Sequence, residues 1–234
     1  MIQFENRRGG VWILPAACSV AVLAAACDFH YRAAVDPAVD EVVVRTTPNA
    51  GPAYDHPARL SAQELTSILQ EVRVQFKSNW LQNLITGPLV AVPLFDEAAL
   101  ARVASPLTEA LEKAGANDRI VFYVAQRRAD DRRDVTSGVL FVQGRALTIA
   151  LVNHQNRVDV VPGLTAYDRQ TPEVAVAPQR FSLVFDRNEF VIEQTSEAFS
   201  EALGAAPPRL SVDYAGFLQR KSQSASVSGN RASR

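Results

Sequence analysis

The sequence predicts an α+β fold: an antiparallel β-meander sheet packed with two to three helices from the N-terminal half of the chain. Three observations predict it. The β-rich runs "RIVFYVAQR", "VTSGVLFVQ" and "ALTIALVNH" follow one another with short gaps, and short gaps demand antiparallel pairing. Upstream of them, capped segments carry apolar residues at helical spacing. Hydrophobic residues make up 47% of the chain and charged residues 21%, enough for one substantial core.

The elements follow in order. Pro37, Pro48, Pro52 and Pro57 punctuate residues 28 to 57. Within this stretch the β-branched run Glu41 to Thr46 predicts one short strand. In "HPARLSAQELTSILQEVRVQF", Ser61 and Glu64 form a capping box, and Leu65, Ile68, Leu69 and Val72 share one helical face. "KSNWLQNLITGPLVAVPLF" clusters Trp80, Leu81, Leu84 and Ile85 near Lys77, with Gly87-Pro88 as a break. The cluster reads as core or as a segment that dips into a membrane interface. "DEAALARVASPLTEALEKAG" reads as two helical pieces. Asp96 caps the first, Pro106 opens the second after Ser105, and Gly115 ends it.

The meander then runs from Arg119, with Ser137-Gly138 marking a bulge or bend in its second strand. Both faces are apolar: Ile120, Phe122 and Val124 oppose Val121 and Tyr123, and Leu147, Ile149 and Leu151 oppose Ala146, Ala150 and Val152. One face takes the helices. The other needs a cover of strands, tether or partner protein. "RFSLVFD" turns through Asp186-Arg187-Asn188 into "EFVIEQ", and "RLSVDYAGFL" reads as a further strand or a short helix. The end, "KSQSASVSGNRASR", is polar and small and reads as disordered.

The net charge of −1 supplies no field to recruit nucleic acid. Both cysteines, Cys18 and Cys27, lie at the start of the chain, so the body holds no disulfide framework, thiol nucleophile or cysteine zinc site. No G-x-S-x-G elbow, S-x-x-K pair or glycine-rich phosphate loop occurs. The expectation is therefore no catalytic residue, no cofactor and no metal. The three histidines are His30, His56 and His154. His56 beside Asp55 reads as a turn or cap residue, with base or ligand as the alternative. His154, beside Asn153 and Asn156, reads as a hydrogen-bonded strand-end residue. "RRADDRRD", from Arg127 to Asp134, reads as a solvated hairpin loop of compensating charges.

The chain opens with Arg7-Arg8, then an uncharged run from Val11 to Ala26 that contains Pro15. A basic start, an apolar middle and small residues at the end are the parts of an export signal. The run is shorter than the ~20 residues that span a bilayer, and Pro15 weakens a helix there.

The run ends Leu23-Ala24-Ala25-Ala26-Cys27. This resembles the lipobox of bacterial lipoprotein precursors, over residues 1 to about 27 only. The resemblance implies cleavage between Ala26 and Cys27 and acylation of Cys27. It departs from the family at Ala24, where leucine is preferred. Cys18 is the competing position; cutting there leaves a greasy mature start. The resemblance also implies a cell-envelope location, lipid-anchored on the periplasmic side. Asp28 directly after the cysteine bears on inner against outer membrane.

The expected organisation is then a signal peptide at 1–26, lipidated Cys27 and a tether at 27–58, a single α+β domain at 59–220 and a disordered tail at 221–234. The expected function is a non-catalytic binding or assembly domain. Its partners are the membrane, through the acyl chains on Cys27, and an envelope protein, with no nucleic acid. The alternatives are an envelope hydrolase with a site near His56, and an uncleaved N-terminal anchor.

Overall fold

The computed structural model describes residues 30–32, 41–49, 51–77, 90–128, 132–159, 167–195 and 206–231. Among the described residues, ten strands form two antiparallel sheets. The larger sheet contains β1 (His30–Arg32), β2 (Glu41–Pro48), β5 (Asp118–Arg127), β6 (Arg132–Gln143), β7 (Ala146–Asp159), β9 (Val191–Thr195) and β10 (Arg209–Asp213). Their order is β1-β2-β5-β6-β7-β10-β9. The smaller sheet is β3 (Val72–Phe76) between β4 (Val92–Pro93) and β8 (Phe181–Phe185). The helices are α1 (Ala62–Leu69), α2 (Glu97–Lys113), α3 (Tyr167–Gln170) and α4 (Tyr214–Arg231).

The α+β class is as expected, but the sheet is not a simple meander. β5, β6 and β7 are the one run of three consecutive strands in the described sheet; the pair β1-β2 joins β5 on one side and the pair β10-β9 joins β7 on the other. Pairing the two flanks of the β5–β7 unit satisfies backbone groups that an isolated meander leaves open. The helices are not confined to the N-terminal half either: α3 and α4 lie in the C-terminal half.

One face of the large sheet forms the main core. Val42, Val44, Ile120, Phe122, Val124, Leu140, Val142, Leu147, Ile149 and Leu210 are buried in it. α2 packs on β2 and β5 and against α1, and the small sheet meets β9 and β10 through β8. The capping box of α1 is present: the Glu64 amide donates to Ser61 Oγ at 3.2 Å, and the Ser61 amide donates to the Glu64 carboxylate at 2.8 Å. Leu65, Ile68 and Leu69 are its buried face. Val72 is not on that face; it opens β3.

Residues 96–114 form one helix rather than two pieces. Asp96 caps it through the Ala99 amide at 2.8 Å. Pro106 sits inside it and is buried. The apolar stripe Leu100, Val103, Leu107 and Leu111 runs unbroken past the proline, so burial of that face outweighs one missing hydrogen bond. The helix ends at Ala114 without a left-handed glycine; the Gly115 amide instead donates to Asp118 at 2.8 Å.

The N-terminal tether expectation fails from residue 41 onward. β2 is longer than expected and pairs with β5 along its whole length. The segment after it is stitched down by backbone bonds: Asn49 to Asn117, Tyr54 to Ala116, Asp55 to Val142 and Ala58 to Leu111. Proline-rich sequence here means a packed connection. Of the stretch expected as a tail, residues 221–231 continue α4, which ends at Arg231. Asp213 caps its start through the Gly216 amide at 2.9 Å. Ser222 and Ser224 donate to carbonyls three residues back at 2.8 Å each, so these polar side chains bond within the helix. "RLSVDYAGFL" is thus both a strand and a helix start. "RFSLVFD" and "EFVIEQ" do not form a hairpin; they go to different sheets.

The bulge expected at Ser137-Gly138 is present, with register shifts at Val135/Ser137 and Ser137/Gly138. A Cβ on Gly138 would sit 2.4 Å from the Ala150 carbonyl oxygen and 2.9 Å from the Phe122 ring. Neither neighbour has room to retreat. Gly138→Ala is expected to cost about 1–3 kcal/mol, read from urea unfolding; an unchanged midpoint would show that the strand can shift.

Candidate functional site

The second face of the large sheet carries Val121, Tyr123, Ala125, Val135, Val139, Phe141 and Ala150. Two pieces of chain cover it. The first is the strap from Tyr167 to Gln179. Arg169 pairs with Glu41 at 2.8 Å, Arg45 donates to the Gln170 carbonyl at 3.0 Å, and Arg119 pairs with Glu173 at 2.6 Å.

The rest of the strap is held by a polar cluster on β6 and β7. The register shifts give β7 extra residues, with Gln155 at φ 47°. They bring Asn153 and Asn156 to the strap side. Ser137 Oγ donates to the Pro172 carbonyl at 2.6 Å and accepts from Asn153 at 2.8 Å. Asn153 also donates to the Val174 carbonyl at 3.1 Å and accepts from the Val176 amide at 2.9 Å. Asn156 donates to Ala177 at 3.1 Å, and Gln179 exchanges two bonds with the His154 backbone at 2.8 and 2.9 Å. Ser137 is fully buried with its hydroxyl spent on backbone and amide, which is the work of a latch rather than a nucleophile.

The second cover is Tyr54, which stacks on Phe141 with ring centres 4.4 Å apart and planes 24° apart. Beyond it the face is open. A cleft of about 490 Å³ lies between the Asn49–Tyr54 connection and the β9–β10 pair. Phe141, Thr148 and Ser211 line its floor, Tyr54 lines one wall, and Ile192, Glu193 and Arg209 line the other. The Thr148 and Ser211 hydroxyls lie 2.9 Å apart across β7 and β10. The Arg209 guanidinium sits 6.0 Å from the Phe141 ring centre. Among the described residues it has no carboxylate partner, and Glu193 has no cationic one. Such a volume, with mixed aromatic and polar walls, falls in the range that binds small ligands.

The sequence-predicted positions fall as follows. Ala26 and Cys27 lie outside the described residues, as do Trp80, Leu81, Leu84, Ile85 and the Asp130-Asp131 pair. His56 is buried, edge-on to Tyr54 with ring centres 5.9 Å apart. Neither of its ring nitrogens has a hydrogen-bond partner. Burial lowers its pKa, against the opposing charges of Asp118 and Asp55; the Asp55 carboxylate itself accepts from the Gly144 amide at 2.5 Å. His154 does not end its strand, and its hydrogen bonds are made by its backbone, not its ring. It lies within β7, 1% exposed, against Phe76 with ring centres 5.8 Å apart, and both its ring nitrogens are unpartnered. Burial pushes its pKa down to about 4. Asp134, placed in a solvated loop by the charge pattern, is buried and paired with Arg128 and, at 3.6 Å, with Arg157. Among the described residues, no group of three or more His, Cys, Asp or Glu is placed to hold a metal ion.

Sequence reasoning missed Tyr54, Thr148, Arg209 and Ser211 as a set. The available signal was alternation: in "RLSVD", Arg209, Ser211 and Asp213 share one face while Leu210 and Val212 share the other. Compared with known proteins, the chain matches no family model, no curated protein and no solved structure.

Two expectations follow. Asn153→Ala leaves the Val174 and Val176 backbone groups without partners, so about 2–3 kcal/mol of stability should be lost. Limited proteolysis should then cut the strap first; uniform resistance would place the latch elsewhere. His154 is neutral when buried and protonates in the unfolded chain near pH 6.5, so the unfolded state binds more protons between about pH 6.5 and 4. Its contribution is full above pH 6.5 and is lost as pH falls toward 4, amounting to roughly 3 kcal/mol. His154→Leu should remove most of that slope in urea titrations at pH 7 and 4.5, with His56 supplying a residue of the same sign.

Proposed function

We propose that the chain is a membrane-anchored cell-envelope lipoprotein whose α+β domain is a non-catalytic binding module. The observation that carries the anchoring is Cys27 itself. It stands directly after Ala24-Ala25-Ala26 at the end of an uncharged run, and no cysteine follows it in the body. Acyl chains contribute about 0.8 kcal/mol per buried methylene, and two or more hold a domain durably where one does not. Among the described residues no helix is long and apolar enough to cross a membrane.

β1 adds a consequence. It begins at His30 and pairs with β2 at Arg45. Three residues of chain reach at most roughly 10 Å, so an acylated Cys27 would keep β1 within that distance of the lipid surface.

Binding is favoured over hydrolysis by the site geometry. A hydrolytic site needs a base within hydrogen-bond reach of a nucleophile and an orienting group. The His56 ring nitrogens have no hydrogen-bond partner, whereas the cleft beside Tyr54 offers aromatic, hydroxyl and charged groups to a ligand.

Mass spectrometry of the membrane-extracted protein tests the anchor. The expected mature mass begins at Cys27 with added acyl groups, and Cys27→Ser should release the domain from the membrane fraction. An intact Met1, or membrane association unchanged in Cys27→Ser, overturns it.

A further inference from the structure

We infer that the cleft between Tyr54 and Arg209 binds a small organic carboxylate that carries a flat apolar group. This rests on the binding half of the reading above and not on the anchor. The cation comes first. Arg209 projects from β10 on the same face as Ser211 and Asp213. Asp213 is occupied, by Arg145 at 2.8 Å and by the Gly216 amide. The Arg209 guanidinium has no such partner among the described residues; its recorded contact is the Phe141 ring. A planar fork of donors held over an aromatic ring is built to receive two carboxylate oxygens.

The floor supplies further polarity of the right kind. Thr148 and Ser211 share one hydrogen bond between two hydroxyls, which leaves one O–H free to donate to an anion beside Arg209. The opposite wall supplies the apolar half. Tyr54 on that wall stacks on Phe141 at the floor, and a flat ring laid beside them gains offset stacking and excludes water from the ion pair. Glu193 on the rim disfavours a second acid group and suits an amide N–H.

N-acetyl-L-phenylalanine combines these features: one carboxylate, one ring and one amide N–H. Its carboxamide, N-acetyl-L-phenylalaninamide, keeps everything except the charge. Both are titrated calorimetrically into the full-length protein, with benzoate and acetyl-Ala-Ala-Phe as arms that separate a small aromatic acid from a peptide C-terminus. The acid is expected to bind at least ~10-fold tighter than the amide. Arg209→Gln should abolish that ratio and Arg209→Lys should keep part of it, both with unchanged thermal melting. Tyr54→Ala should weaken acid and amide together. Equal binding of acid and amide, no binding of either, or a ratio that survives in Arg209→Gln overturns the proposal. None of these outcomes moves the mature mass at Cys27, so the cleft and the anchor stand or fall separately.

Discussion

A sheet with apolar side chains on both faces has to be covered twice, and that requirement governs this molecule. Ile120, Phe122 and Val124 need one cover, and Val121, Tyr123 and Ala125 on the same strand need another. Helices and the small sheet supply the first through ordinary apolar packing. Among the described residues, only the single short turn of α3 contributes helix to the second. The rest of that cover is irregular chain, and irregular chain brings its own backbone donors and acceptors, which need partners wherever they are buried.

The register shifts of β6 and β7 resolve that conflict. Regular alternation would place Asn153 and His154 in the pattern set by Leu151 and Val152. Extra residues in β7 instead bring Asn153 and Asn156 to the strap side, where they meet its carbonyls and amide. The same shift places His154 against Phe76, where its ring lacks a hydrogen-bond partner. One irregularity therefore secures the second cover and creates a buried base that lowers stability in acid. Gly138 belongs to the same arrangement, because the neighbouring strand and the Phe122 ring close over its bare backbone.

Where the cover stops, the cleft begins. Tyr54 shields Phe141 on one side, and the strap lies over the far end of the sheet. Between Tyr54 and the β9–β10 pair, the second face shows hydroxyls and an arginine instead of a continuous apolar surface. The polar residues of β10 thus spare the fold a greasy exposed patch. His56, edge-on to Tyr54, ties the packed connection after β2 to the same wall.

Local chemistry was legible in the sequence wherever neighbours along the chain decide the outcome. The Ser61–Glu64 capping box, the Asp96 cap, the three β runs, the Gly138 bulge and the α+β class all follow from residues within a turn or a strand of one another. The run from Leu23 to Cys27, proposed as a lipobox on its resemblance alone, is likewise a purely local pattern. Tertiary structure decided what depends on distant partners. It carried α2 through Pro106, drew the proline-rich stretch before α1 into the domain and sent β8 and β9 to different sheets. It also assembled the cleft, since Tyr54, Phe141, Thr148 and Arg209 come from four separate segments. Side-chain period tells which face a residue takes, but not which strand will lie beside it. That choice is made by the need to bury two apolar faces at once.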